Sequence, residues 1–170
     1  MNKIYYIPHP ILRQKSKLIE KITSKEIDIS KTMTDIMIEN SGVGLAANQI
    51  GVLKQIITIN HFDPNKKIEK IYTYFNPKII FYSKKKIIME EGCLSLPKQF
   101  AEIERSEEII VQYTNENNDI IEERKNGFLS RVLQHEIDHL KGILFIDYLS
   151  SLKRNMIIKR VNKLKKIGEI

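Results

Sequence analysis

The residues best equipped for chemistry lie in Gln134-His135-Glu136-Ile137-Asp138-His139-Leu140. On a helix, residues four apart share a face, so His135 and His139 can hold one metal ion between them. Glu136 follows the first histidine and can lean over the ion, where a bound water sits. Two imidazoles with a carboxylate that is not itself a ligand form a plan for metal-assisted hydrolysis. The ion still needs a third protein ligand. The metzincin extension of this motif places Gly three residues after the second His and another His three residues further on. Gly142 is in place, but Phe145 stands at the ligand position and a phenyl ring cannot coordinate. The remaining donors are His9, His61 and the single cysteine, Cys93.

Cys93 lies in Glu91-Gly92-Cys93-Leu94-Ser95-Leu96-Pro97. A lone cysteine is commonly a small buried hydrophobe, and it cannot form an internal disulfide. Here Gly92 on one side and Pro97 beyond put it at a strand end rather than inside a core run. Thiolate is also a good donor for a two-histidine helix that lacks its third ligand. Cys93, His135 and His139 with one water would give a four-coordinate ion with an open position, as catalytic sites require.

The elements that must position these groups follow from patterning. The 170 residues suit a single domain with a core large enough to need no disulfide. No apolar run approaches the ~18 residues of a membrane span, and Pro8 interrupts the N-terminus too early for a signal peptide. A cytoplasmic enzyme is expected. The net charge of +7 comes from scattered lysines without interleaved aromatics, so no specific nucleic-acid partner is expected. Nonspecific attraction to a ribosome surface stays open.

The segment Pro8-His9-Pro10-Ile11-Leu12-Arg13 is expected to be extended, because residues before proline avoid the α region. A first helix is expected from Ser24 to about Asn40, with Ile29, Met33, Ile36 and Met37 on its apolar face. The small residues of 42–51 permit close backbone approach. They suit either a tight packed loop or a ligand-hugging wall with Gln49 as donor. Strands are expected at Gln55–Asn60, Ile71–Phe75, Lys78–Tyr82, Ile87–Glu91, Glu107–Thr114 and Ile120–Lys125, with a turn at Asp63-Pro64-Asn65. Successive strands without intervening helices imply antiparallel sheets and an α+β class. The motif helix, about Phe128–Lys141, is apolar on several faces and should be central and buried. A final amphipathic helix, about Ser151–Lys166, directs Leu152, Met156, Val161 and Leu164 toward the body and its basic residues outward.

Three separated motifs, GVGLAANQIG at 42–51, EGCLSLP at 91–97 and QHEIDHLKG at 134–142, resemble those of the peptide deformylases, and HPILR at 9–13 is similar to that family's N-terminal stretch. The resemblance spans essentially the whole chain and fits the bacterial type with a C-terminal helix. It implies antiparallel and mixed β-sheets wrapped around a central metal-binding helix. It also implies removal of the N-formyl group from the initiator methionine of nascent polypeptides. On the matching positions, Cys93, His135 and His139 are the implied metal ligands and Glu136 the general acid/base. Gln49 and the Leu94 N–H are the implied oxyanion donors. The expected substrate-binding set is Val43, Gly44, Leu45, Glu91, Phe128 and Val132, several of them walls of an apolar methionine slot. The resemblance implies Fe²⁺, for which Zn²⁺, Ni²⁺ or Co²⁺ can substitute; imidazole and thiolate alone do not separate iron from zinc. Arg105 is expected either to pair with Asp138 or another buried carboxylate, or to lie on the surface. Phe100 departs from the family, which often carries a basic residue close to this point.

Two other classes fit parts of the pattern. A zinc metallopeptidase would share the helix motif but needs a ligand where Phe145 stands. A non-catalytic metal or ribosome-binding domain would close the ion with a fourth protein ligand, for which only His9 and His61 remain.

Overall fold

The computed structural model describes residues 4–63 and 68–170. Helix α1 (Ser24–Glu39) leads to strand β1 (Gly44–Ala46), a 3-10 turn at Ala47–Ile50, and strands β2 (Ile56–Asp63) and β3 (Ile68–Tyr82). A hairpin of β4 (Lys86–Cys93) and β5 (Leu96–Ser106) follows, then β6 (Glu108–Thr114), β7 (Ile120–Asn126), helix α2 (Gly127–Leu140), a 3-10 turn at Phe145–Tyr148 and helix α3 (Ser151–Lys166). The expected turn after Asp63 falls on residues 64–67, outside the described residues.

Five strands form one antiparallel sheet in the order β1-β2-β3-β6-β7, and β4 pairs with β5 in a second sheet. The α+β class and the central helix agree with the reading from sequence. The strand period of two separates the large sheet into two buried faces. Leu45, Ile56 and Phe75 pack against Met33, Ile36 and Met37 of α1. Their neighbours Ala46, Ile57 and Tyr74 pack against Val132, Leu133, Ile137 and Leu140 of α2. Adjacent apolar residues such as Ile56-Ile57 therefore face opposite cores. Each fully buried aliphatic side chain here contributes about 1.5–3 kcal/mol. That burial lets α2 carry buried polar groups along its remaining face.

Several local expectations are corrected. Pro10–Arg13 is a 3-10 turn rather than extended, with the His9 ring capping the Ile11 N–H at 3.2 Å. Proline's fixed φ suits the first position of a helical turn, and this preference overrides the extended bias. The two expected strands Ile71–Phe75 and Lys78–Tyr82 are one strand, bulged between Phe75 and Lys78. Asn76 takes a left-handed φ of 50° there and its side chain bonds both backbone groups of Ile19, so Asn76-Pro77 bends the strand without ending it. Strand β5 was absent from the expectation, because its inward positions include Arg105 and its apolar alternation is weak. On α3, Ile157 and Val161 are buried while Leu152 and Met156 are exposed. The helix lies on its neighbours along a stripe rotated from the expected one.

Candidate active site

The 14-residue α2 places His135 and His139 on one face, both buried, with ring centroids 5.0 Å apart. Gly142 ends the helix at φ +76°, its α-carbon against the Arg13 carbonyl, where any side chain would collide. Cys93 comes from the end of β4, and its Sγ lies 3.2 Å from His139 Nε2. The ligand atoms of Cys93, His135 and His139 all lie within 4.8 Å of one another. His9 caps its turn and His61 lies beside Tyr72 on the large sheet, so neither joins this group.

The surroundings fit a metal ion. His135 Nδ1 lies 2.9 Å from Glu91 Oε2, a carboxylate that accepts from Nδ1–H and so directs Nε2 of the neutral ring toward the ligand group. Glu91 is held by two arginines: Arg105 Nε at 2.6 Å and Nη2 at 3.0 Å, and Arg131 Nη1 at 2.6 Å. Arg105 also donates to Asp138 Oδ2 at 2.7 Å, an oxygen shared with the Tyr148 hydroxyl at 2.7 Å. The pairing expected for Arg105 is thus a buried network joining β4 and β5 to α2. Burial alone would raise the Glu91 pKa, but bonds from His135 and Arg105 hold it down at about 2. At His135 burial is outweighed by bonds with Cys93 and Glu91, and the imidazole pKa is pushed well up. At His139 burial and the nearby His135 charge push it well down.

Glu136 follows His135 and lines the cavity together with Cys93 and His135. Burial raises its pKa to about 7, with His135 opposing and Glu91 adding to the rise. Its Oε2 is buried and makes no hydrogen bond among the described residues. A carboxyl near neutrality with an unpartnered oxygen is poised to exchange a proton.

The cavity, about 460 Å³, is walled by Tyr6, Gly42, Val43, Leu94, Pro97 and Phe100, with Gln49, Cys93, His135 and Glu136 at its base. Gln49 is locked by Ala46 N–H donating to its Oε1 at 2.8 Å, while its Nε2 donates to Ser95 Oγ at 3.0 Å and reaches Cys93 Sγ at 3.5 Å. The Leu94 N–H has no backbone acceptor among the described residues. β1 is an edge strand. The Val43 carbonyl accepts from Asn60 in β2 at 3.0 Å, so the alternating backbone groups of Gly44 point to the open edge. Gly44 has to be glycine: a Cβ would lie 2.5 Å from Glu136 Oε1 and 2.9 Å from Val132 Cγ1.

Residues 1–155 match the model of the polypeptide deformylase family. The chain belongs to the polypeptide deformylase family. The peptide deformylase of Buchnera aphidicola subsp. Schizaphis graminum is 45% identical over 164 residues, covering 96% of each chain. The crystal structure of peptide deformylase from Ehrlichia chaffeensis superposes with TM-score 0.89 at 37% identity, covering 95% of both chains. That of Legionella pneumophila gives TM-score 0.89 at 34% identity, over 99% of this chain and 98% of the other.

Within this deformylase fold the structure distributes the expected substrate-binding residues unevenly. Val43 and Gly44 line the cavity, and Val132 packs beneath Gly44. Leu45 does not line it: a one-residue step along β1 turns its side chain into the core against α1, fully buried. Phe128, 45% exposed at the start of α2, also stands outside the lining. Glu91 is buried with both oxygens engaged, so it holds His135 rather than contacting substrate. Arg131 and Tyr6 were not anticipated. A buried arginine on an apolar helix face offers no sequence signal until its partner Glu91 is placed, and Tyr6 belongs to no motif.

Proposed function

We propose that the chain removes the N-formyl group from the N-terminal formyl-methionine of nascent polypeptides and releases formate. The observation that carries this reading is the convergence of Cys93, His135 and His139 within 4.8 Å, with Glu136 lining one cavity together with Cys93 and His135. In this reading Cys93 Sγ and the Nε2 atoms of His135 and His139 hold one divalent ion. When bound, the ion supplies Lewis-acid activation of water and of the formyl carbonyl.

The chain's own groups do the rest. The substrate backbone lies along the open edge of β1, where the Gly44 N–H and carbonyl receive it as an added strand. Glu136 takes a proton from the attacking water and returns it to the departing α-amine, so formate and an intact chain are the products. As charge builds on the formyl oxygen, Gln49 Nε2 and the Leu94 N–H donate to it. The Ala46 and Ser95 bonds hold the Gln49 amide before substrate arrives, which is what makes such a donor effective. Val43 and Val132 border the methionine side chain.

The reading takes residues 1–170 as one catalytic domain working in the cytoplasm, where formylated chains emerge, with at most transient ribosome contact through its basic surface. Fe²⁺ is the ion this reading expects, and Zn²⁺, Ni²⁺ or Co²⁺ satisfy the same donors. Among the described residues no helix is long and apolar enough to cross a membrane.

The test is formate release from a formyl-Met tripeptide by protein loaded anaerobically with Fe²⁺. Glu136→Ala should keep the metal and lose turnover. A folded, metal-filled Glu136→Ala with near-native rate would remove Glu136 from its assigned role. Internal cleavage of the peptide would replace the deformylase reading with a peptidase.

A further inference from the structure

A second concave surface, a groove of about 890 Å³, runs between the β4–β5 hairpin and helix α3. The hairpin has two unlike faces. Glu91 and Arg105 turn inward to bond with α2 and Ile103 packs with Ile157 and Val161 of α3, while Ile88, Glu90, Phe100 and Glu102 turn outward and are exposed. The outward face meets Met156 and Ile157 of α3 across the groove. Ile88, Phe100 and Met156, all lining this groove, are 63%, 63% and 45% exposed.

Phe100 lines both this groove and the active-site cavity. It stands opposite Gly92 in the hairpin register, and its ring lies over that glycine, where a Cβ would come within 2.6 Å. Gly92 is next to Cys93. The two concavities therefore meet at Phe100, one residue from the metal-ligating cysteine.

We propose that the groove binds the downstream segment of the substrate polypeptide, beyond the residues that fill the cavity. The inference rests on the deformylase reading, under which the occupant is a long extended chain that must leave the cavity in some direction. The mouth at Phe100 continues into a trough whose chemistry suits such a chain. Its apolar lining accepts side chains, with acidic Glu90 and Glu102 and the Lys86–Glu104 ion pair on the hairpin wall and basic Lys153 and Arg160 on the helix wall. Carboxylate acceptors on the hairpin and cationic donors on the helix can meet both kinds of peptide backbone group without dictating sequence. From Gly92 back to Ile88 along β4 is about 13 Å at ~3.3 Å per residue, room for about four extended substrate residues.

The experiment compares a formyl-Met tripeptide with a formyl-Met peptide of about nine residues, long enough to pass Ile88. With Fe²⁺-loaded protein, the long peptide should show kcat/KM raised about tenfold, mainly through KM, as expected for binding shared by ground and transition states. Ile88→Asp and Met156→Glu, each at an exposed position, should abolish that gain and leave tripeptide kinetics unchanged. Equal kcat/KM for the two peptides in the wild type would overturn the groove assignment while leaving the deformylase reading intact. Retention of the gain in both variants would also overturn it. Concentration-dependent self-association lost in Ile88→Asp would assign the groove to a second copy of the chain instead. No formate from either peptide would defeat the deformylase reading itself, and the groove's proposed occupant with it.

Discussion

Replacing Gly44 with alanine tests how closely the edge strand is fitted to Glu136, the proposed proton-transfer group. The new Cβ would lie 2.5 Å from Glu136 Oε1, 3.0 Å from its Cδ and 2.9 Å from Val132 Cγ1. Relieving the first contact to an ordinary carbon–oxygen separation of about 3.3 Å requires a shift of about 0.8 Å. Little else can yield. Gly44 is paired with Ile59 in β2, and Val132 packs in the core between α2 and the sheet. Its φ is outside the left-handed region, so alanine carries no backbone strain there. The displacement falls on the Glu136 carboxyl, and a misplacement of about 1 Å in a catalytic group costs about 10² in rate. Gly44→Ala should therefore fold, retain metal and lose about 100-fold in kcat/KM for a formyl-Met tripeptide. Formate release would be measured beside metal content and thermal melting. A loss below about threefold in a folded, metal-filled variant would refute the reasoning, since the carboxyl would then have moved at no cost.

Arg105→Met should leave Glu91 and Asp138 buried without their shared cation, costing about 3–5 kcal/mol. With a urea m-value of about 2 kcal/mol/M, the unfolding midpoint should fall by about 2 M; an unchanged midpoint would show that Arg131 and Tyr148 suffice to hold the two carboxylates. A pH effect is expected far from the metal site. Glu26 is held at about 2, below its ordinary 4.5, first by its bond from Lys54 and then by Thr23 at the start of α1. A depressed carboxyl stabilises above its unfolded value and loses that contribution as pH falls, here between 4.5 and about 2. Melting temperatures at neutral pH and near pH 3 should show the wild type's advantage over Glu26→Gln shrinking on acidification, and a constant gap would contradict it.

Much of the site was legible because its information is local. His135 and His139 share a helix face by spacing alone, Glu136 follows from adjacency, and Gly142 marks the end of that helix. The α+β class was legible from strands that succeed one another without helices. The extents of α1 and α3 were legible from their helical period, although the buried stripe of α3 was not. Strand β5 was not, because its inward row mixes Ile103 with Arg105, and a charged residue there looks exposed until Glu91 and Asp138 are placed opposite it.

The residue types that can hold an ion, their helical spacing and the absence of a third histidine at Phe145 are properties of the chain by itself. So is the candidacy of Cys93. Only tertiary structure brought Cys93 Sγ to His139 Nε2 across 46 residues of sequence, and only it decided which neighbours face the cavity. Leu45 and Gly44 are adjacent in the chain, yet strand alternation sends one into the core and puts the other beneath the site. Glu91, beside the cysteine motif, was expected at the substrate and instead steadies His135. Hydrogen-bond partners and faces of burial depend on contacts distant in sequence, and no local pattern encodes them.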